Sequence, residues 1–307
     1  MNVEEAKEEL INLCATPGKL TSEGMFIQDE LCKYIYDQTN DYRYLEMTAV
    51  NLESKNPQLA EKIYKLSIEN GDEHSCLYLA NLYYKGLLGK TDYEKAFLYY
   101  TRASMTEEKG DGSFEDPFTS VHNEAKLKLA EMYRNGLYVN KDLEKYETLV
   151  NEVYEEVKDK KWYEERYYGL IAKGKLELEK GNQAEGLNCL LEARTDLATC
   201  FDCAKMADII ESLKEVNDLI YSYIDLDYTE IDAVDITELL KNPIKVSFRY
   251  NGKKHYLKTY RDKEKIVIEF ENQLFTDVVE FIMNAKIGNE FFKEALFNTE
   301  RWEVVKR

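Results

Sequence analysis

The sequence predicts a mainly α chain, a stack of helical hairpins followed by a small C-terminal α+β domain. Three observations lead there. Punctuation is sparse, with 4 prolines and 14 glycines in 307 residues, which favours long helices joined by short turns. Residues 75–104 recur without a gap as residues 125–154. Near Asp225 the texture changes from helical spacing to strand alternation.

Composition limits the function classes. The chain is 44% hydrophobic and 33% charged, as expected of a globular protein with a large wetted surface. Its 41 Lys+Arg against 59 Asp+Glu give a net charge of −18, with a pI near 4.8. Nucleic-acid phosphates and anionic membranes would repel such a chain along most of its length. The acidic start, Met1-Asn2-Val3-Glu4-Glu5, runs on at helical spacing to Leu13, unlike a secretory leader. No apolar run approaches the ~20 residues that span a bilayer. The six cysteines (14, 32, 76, 189, 200, 203) are scattered through helical segments, which suits reduced, buried thiols. A cytoplasmic protein with no membrane association is the expectation.

Residues 1–55 are read as an N-terminal helical cap, 56–225 as the repeat region and 236–307 as the α+β domain. In the first full copy, Leu79, Leu82 and Tyr83 are spaced i, i+3, i+4 and share one face of a helix. Ala80 is small enough to let a neighbouring helix approach. Gly86 follows the periodic run, where a left-handed C-terminal residue is wanted. Asp92 precedes Tyr93-Glu94-Lys95-Ala96 as an N-cap with an acidic first turn. A second helix then buries Ala96, Tyr99, Tyr100 and Ala103. One hairpin cannot cover its own apolar face, so copies must stack. Nine identities in the thirty aligned positions, among them Leu79/Leu129, Ala80/Ala130, Tyr83/Tyr133, Gly86/Gly136 and Asp92/Asp142, all fall at such structural places.

This pattern resembles the Sel-one-like repeat, a relative of the tetratricopeptide repeat. The second copy departs from it at Tyr146, where the family prefers alanine. Ala60, Tyr64 and the turn Glu69–Asp72 look like the second half of a preceding repeat, and Gly174–Ala193 like a looser hairpin. The resemblance implies a right-handed α-solenoid that serves as a scaffold for protein or peptide binding. The offset of 50 exceeds the usual family period of about 36–40, placing roughly a dozen inserted residues near Thr106–His122. The plain reading of that insert is a solvated loop; the sharper one is part of a binding surface.

In the C-terminal module, Asn251-Gly252 between alternating runs signals a two-residue β-hairpin. The implied register sets Tyr250 against Lys253, Phe248 against His255 and Val246 against Leu257. This face should cover helices read at Thr276–Ala285 and Asn289–Leu296, and Trp302–Val305 adds a strand. The opposite face carries Lys245, Arg249, Lys254, Tyr256, Lys258 and Tyr260. Like charges then oppose each other, Arg249 with Lys254 and Lys245 with Lys258, which weakens a sheet unless an acid or anion neutralises them. Residues 241–265 carry +7 and residues 205–240 carry −8, so the acidic stretch is the expected neutraliser. An anionic ligand at Arg249, Lys254 and Lys258 is the alternative.

Catalytic chemistry is not legible. The three histidines (74, 122, 255) fit no zinc-protease or triad pattern, and no phosphate-cradling Gly-rich loop appears. His255 reads as a packed strand residue. Cys200-Phe201-Asp202-Cys203 has metal-like spacing but lacks the further pair a structural zinc site needs. Neither metal nor cofactor is expected. Tyrosine stands out, with 24 residues. Tyr83, Tyr99, Tyr100 and Tyr133 fit the repeat core, while Tyr84, Tyr93 and Tyr138 leave its period and are the candidates for a partner-facing surface. The expectation is a non-enzymatic adaptor, or an immunity-type protein, that holds a neutral to basic protein or peptide. A nucleic-acid-linked effector using the basic sheet is the runner-up, and an enzyme with an acidic cleft between solenoid and terminal domain is third.

Overall fold

The computed structural model describes residues 2–15, 22–41, 43–106, 121–160, 163–204, 207–226, 231, 233–263 and 265–305. Most of the insert read at Thr106–His122 lies outside them. The chain divides into two compact units, Met1–Glu155 and Glu156–Arg307.

The first unit is all helix: α1 (Val3–Ala15), α2 (Ser22–Thr39), α3 (Arg43–Leu52), α4 (Pro57–Glu69), α5 (Ser75–Lys85), α6 (Tyr93–Ala103), α7 (Val121–Asn135) and α8 (Leu143–Val157). From α1 to α7 each helix packs on the next, and α5 also meets α7. That nearest-neighbour pattern is how hairpins lend each other a core. Ala60, Tyr64, Leu79, Ala80, Leu82, Ala96, Tyr100 and Ala103 are wholly buried in it, and Tyr83 nearly so.

The turns follow the residues read as their causes. Gly86 ends α5 at φ +70, and a Cβ there would meet the Thr91 backbone nitrogen at 2.8 Å. Asp92 caps α6, its Oδ1 accepting from the Lys95 N–H at 3.1 Å. In the second copy Asp142 does the same for Lys145 at 3.0 Å. The N–H of Asp92 donates to the Tyr83 carbonyl (3.0 Å), and that of Asp142 to the Tyr133 carbonyl (2.9 Å). A lysine then lies over each tyrosine ring, Lys95 over Tyr83 at 4.9 Å and Lys145 over Tyr133 at 4.8 Å.

The second unit begins with α9 (Tyr163–Glu179), α10 (Gln183–Ala204) and α11 (Ala207–Ile220). The α9–α10 pair is the looser hairpin expected around Gly174–Ala193. Its helices cross where a Cβ on Gly174 would meet the Leu190 side chain at 2.8 Å, and one on Gly186 the Leu178 side chain at 2.7 Å. A short 3-10 turn (Ala233–Asp235) and α12 (Ile236–Leu239) lead to the strands β1 (Lys245–Tyr250), β2 (Lys253–Asp262), β3 (Lys265–Phe270), β4 (Gln273–Phe275) and β7 (Glu300–Val304). These form one sheet in the order β4-β3-β2-β1-β7, antiparallel at each junction. The hairpin register matches the sequence reading at Tyr250–Lys253, Phe248–His255 and Val246–Leu257.

Between β4 and β7 run α13 (Val278–Asn284), the two-residue strands β5 (Lys286–Ile287) and β6 (Glu290–Phe291), α14 (Phe292–Ala295) and a 3-10 turn (Leu296–Asn298). A helix over Asn289–Leu296 therefore overreads the segment: its first residues belong to a tight hairpin turning at Gly288, φ +62. Phe248, Phe270, Phe281 and Phe292 are wholly buried beneath the sheet, with Trp302 stacked on Phe248 at 4.7 Å. Such pairs add about 0.5–1.5 kcal/mol each beyond their burial.

Candidate partner-binding site

The first helices of the hairpins, α3, α5 and α7, carry an unusual set of acids. Glu46 on α3 sits three residues before the buried Ala49, which turns its carboxyl inward to 6% exposure. Its Oε2 lies 3.1 Å from Ser75 Oγ, which is itself 2.8 Å from Asp72 Oδ2. One hydroxyl proton cannot serve both carboxylates, and a proton on Glu46 completes the set. Burial first, and then the neighbouring Asp72, push the Glu46 carboxyl up to about 9.

Two further carboxyls share this face. Glu53, at the end of α3, accepts a hydrogen bond from Tyr64 Oη at 2.8 Å, and burial raises its pKa against the pull of that bond and of Lys85. Glu124, on the first turn of α7, is also raised by burial, against Lys128, Lys85 and Asn81. Tyr78 on α5 stands among them. Its phenol is raised first by burial and then by Glu46, Glu124, Glu53 and Asp72 in turn. Burial is the main cause of the shift at each of the three carboxyls in the recess around Tyr78, so they lean toward the neutral form, and a cation placed there would restore the ionised carboxylates.

The tyrosines singled out in the sequence gather beside this face without sharing one exposure. Tyr84, on α5, is half-buried, with its ring against Tyr93 at 5.6 Å and Tyr100 at 6.1 Å. Glu131 and Lys128 of α7 lie within electrostatic reach of its hydroxyl. Tyr93, half-buried at the start of α6, completes that pair. Tyr138 is 57% exposed in the α7–α8 turn at φ +65, where its ring meets Phe97 at 5.7 Å and its hydroxyl donates to Glu94 at 3.3 Å. Tyr93, Glu94 and Phe97 all belong to the start of α6, so one helix end joins the three tyrosines.

Sequence reasoning missed the acidic recess. Its members come from three stretches of chain, with 19 residues from Glu53 to Asp72 and 46 from Tyr78 to Glu124, and the only local signal was a glutamate at core spacing before Ala49.

Arg249, Lys254 and Lys258 fall on the outer face of the C-terminal sheet. Glu303 of β7 reaches Lys254 at 3.4 Å, and Glu269 of β3 reaches Lys258 at 3.3 Å. Within the acidic stretch, Asp218 and Glu238 pair instead with Lys241. His255 packs on Phe248 at 5.6 Å, with Nδ1 2.9 Å from Glu271 Oε1. Cys200 is buried in α10, whereas the Cys203 side chain lies outside the described residues. Burial raises the Cys76 thiol to about 12 and the Cys189 thiol to about 11, which suits packing rather than nucleophilic chemistry. Among the described residues no helix is long and apolar enough to cross a membrane.

Compared with protein-family models, the chain matches the Sel1 repeat at residues 52–72, 74–105 and 123–145. These spans contain the half-repeat at α4 and both copies read from the sequence. Among solved structures, a Sel1 repeat protein from Oxalobacter formigenes is similar at 17% identity over 70% of this chain and 90% of that one, with a TM-score of 0.36. No curated protein matches. Sel1 repeats commonly mediate protein–protein interactions and are typically non-enzymatic. Residues 52–145 thus carry three Sel1-like repeats in succession.

Proposed function

We propose that the chain is a non-enzymatic scaffold, an adaptor or immunity-type protein, which holds a neutral to basic protein or peptide segment on the α3–α5–α7 face. The observation that carries this reading is the set of half-buried and buried carboxyls, Glu46, Glu53 and Glu124, gathered around Tyr78. A lysine or arginine side chain entering there meets acids that desolvation has already made costly to ionise alone, so each contact is stronger than at a wet surface. Tyr84 and Tyr93 supply rigid apolar area beside the recess, and Tyr138 extends it.

The test is affinity capture from cell extract at low and high salt, with wild type compared with Tyr84→Ala and Tyr93→Ala. One protein should be recovered in near-equal amount, and it should be lost at high salt and reduced about tenfold by either variant, both variants keeping the wild-type circular dichroism. Capture that is insensitive to both substitutions would remove the tyrosines from the site.

A further inference from the structure

The sheet of the second unit is covered on one face and open on the other. Val246, Phe248, Leu257, Ile268 and Phe270 point into the aromatic core. Alternation therefore sends Lys245, Ser247, Arg249, Lys254, Tyr256 and Lys258 to the outer face. Tyr256 stands at its centre, 50% exposed, with Lys245 Nζ 5.1 Å and Lys254 Nζ 5.8 Å from its ring centroid. Beside it Lys258 lies 5.0 Å from the Tyr260 ring.

We propose that this outer face binds single-stranded nucleic acid, with bases stacked on Tyr256 and Tyr260 and phosphates met by Lys245, Arg249, Lys254 and Lys258. Two observations separate it from an ordinary wet sheet face. The first is charge left over inside the sheet. Lys245 faces Lys258 and Arg249 faces Lys254 directly across the hairpin. Glu303 and Glu269 reach only Lys254 and Lys258. Arg249 has Glu300 opposite it in β7, yet makes no ion pair among the described residues, and neither does Lys245. An anion laid along the face relieves both like-charge pairs.

The second observation is Ser247. It sits opposite Tyr256, wholly buried, and its hydroxyl has no hydrogen-bond partner. An unpaired buried hydroxyl is costly, because it has given up water for no partner. A polar group of a ligand that reaches past Tyr256 to this strand pair would supply one.

The rings decide between anionic occupants. An acidic peptide needs only the cations, whereas a nucleic acid uses cations and ring faces together, the lysine heads moving from ring to phosphate. Residues 241–307 carry +4 and the rest of the chain −22, so contact is confined to this face and is strongly salt-dependent.

The experiment titrates the full chain into a labelled oligothymidylate of about 15 nucleotides and follows fluorescence anisotropy. Saturable binding is expected at low salt, weakened roughly 50-fold between about 50 and 200 mM if all four cations meet phosphates. Tyr256→Ala should weaken it about tenfold with the salt slope unchanged. Lys254→Gln with Lys258→Gln should reduce that slope by about 1.4. Absence of binding, binding indifferent to Tyr256→Ala, or equal displacement by polyglutamate would overturn the proposal. None of these outcomes bears on the α3–α5–α7 face.

Discussion

The two full repeat copies, 75–104 and 125–154, share their packing devices and differ where they face outward. Glycines Gly86 and Gly136 at φ +70 and +67, the capping aspartates, and the lysine laid on a tyrosine ring recur at the same offset with near-identical distances. On the α5 and α7 faces the correspondence ends: His74, Tyr78, Asn81 and Tyr84 are replaced by Glu124, Lys128, Glu131 and Arg134. What is repeated builds the stack, and what varies is free to recognise something. The third hairpin, α9–α10, sharpens the contrast, because an asparagine, Asn182, precedes its second helix and two glycines set its crossing.

The largest effect is expected in that third hairpin. Arg166 grips the buried Asp196, 1% exposed, through two bonds of 2.7 and 2.5 Å. Asp196→Ala leaves a guanidinium facing its former site and should cost about 3–5 kcal/mol in urea unfolding, a loss that no single repeat device would match. A loss below about 1 kcal/mol would mean the hairpin rests on its glycine crossing instead.

Between the two copies, the glycines should separate. Gly86→Ala brings a Cβ within 2.8 Å of the Thr91 backbone nitrogen, while at Gly136 the nearest atom, the Lys141 nitrogen, is 3.4 Å away. Both substitutions incur the left-handed penalty of about 1 kcal/mol, and Gly86→Ala should lose about 1–2 kcal/mol more. Equal thermal shifts would show that the tight turn in the first copy gives way freely.

Glu46 tests the buried acids of the α3–α5–α7 face through pH. Its folded pKa, near 9, stands above the ordinary value of 4.5. Below pH 4.5 both states hold the proton and nothing is lost. As pH rises toward 9 the unfolded chain releases the proton and gains, so the wild type is progressively destabilised. Glu46→Gln keeps a donor for Asp72 without that penalty, and should raise stability by about 1–2 kcal/mol at pH 8 and by little at pH 5. A destabilised variant at pH 8 would show that the carboxyl is ionised and paired.

Much of the fold was legible because its causes are local. Asn251-Gly252 allows only a two-residue turn, and that turn fixed the pairing from Tyr250–Lys253 outward. Gly86 and Asp92 mark a helix end and start from one position each. The helix read at Asn289–Leu296 overran because Gly288, which turns the β5–β6 hairpin, looks the same in sequence as a loop before a helix. The Gly174/Gly186 crossing, the Arg166–Asp196 pair and the recess at Glu46, Asp72 and Ser75 join residues 12 to 30 positions apart. No periodicity announces such meetings. Of the candidate site, the tyrosines could be found by their departure from the core period, but the acids were hidden among 59 others.

The central claim is that recognition belongs to the repeat face. The most direct measurement captures partners from extract with three baits: wild type, Glu53→Gln with Glu124→Gln, and Lys254→Gln with Lys258→Gln. The account predicts one salt-sensitive protein that is held by the wild type and the lysine variant and lost from the glutamine-for-glutamate bait. Retention by that bait, or loss from the lysine variant alone, would contradict it.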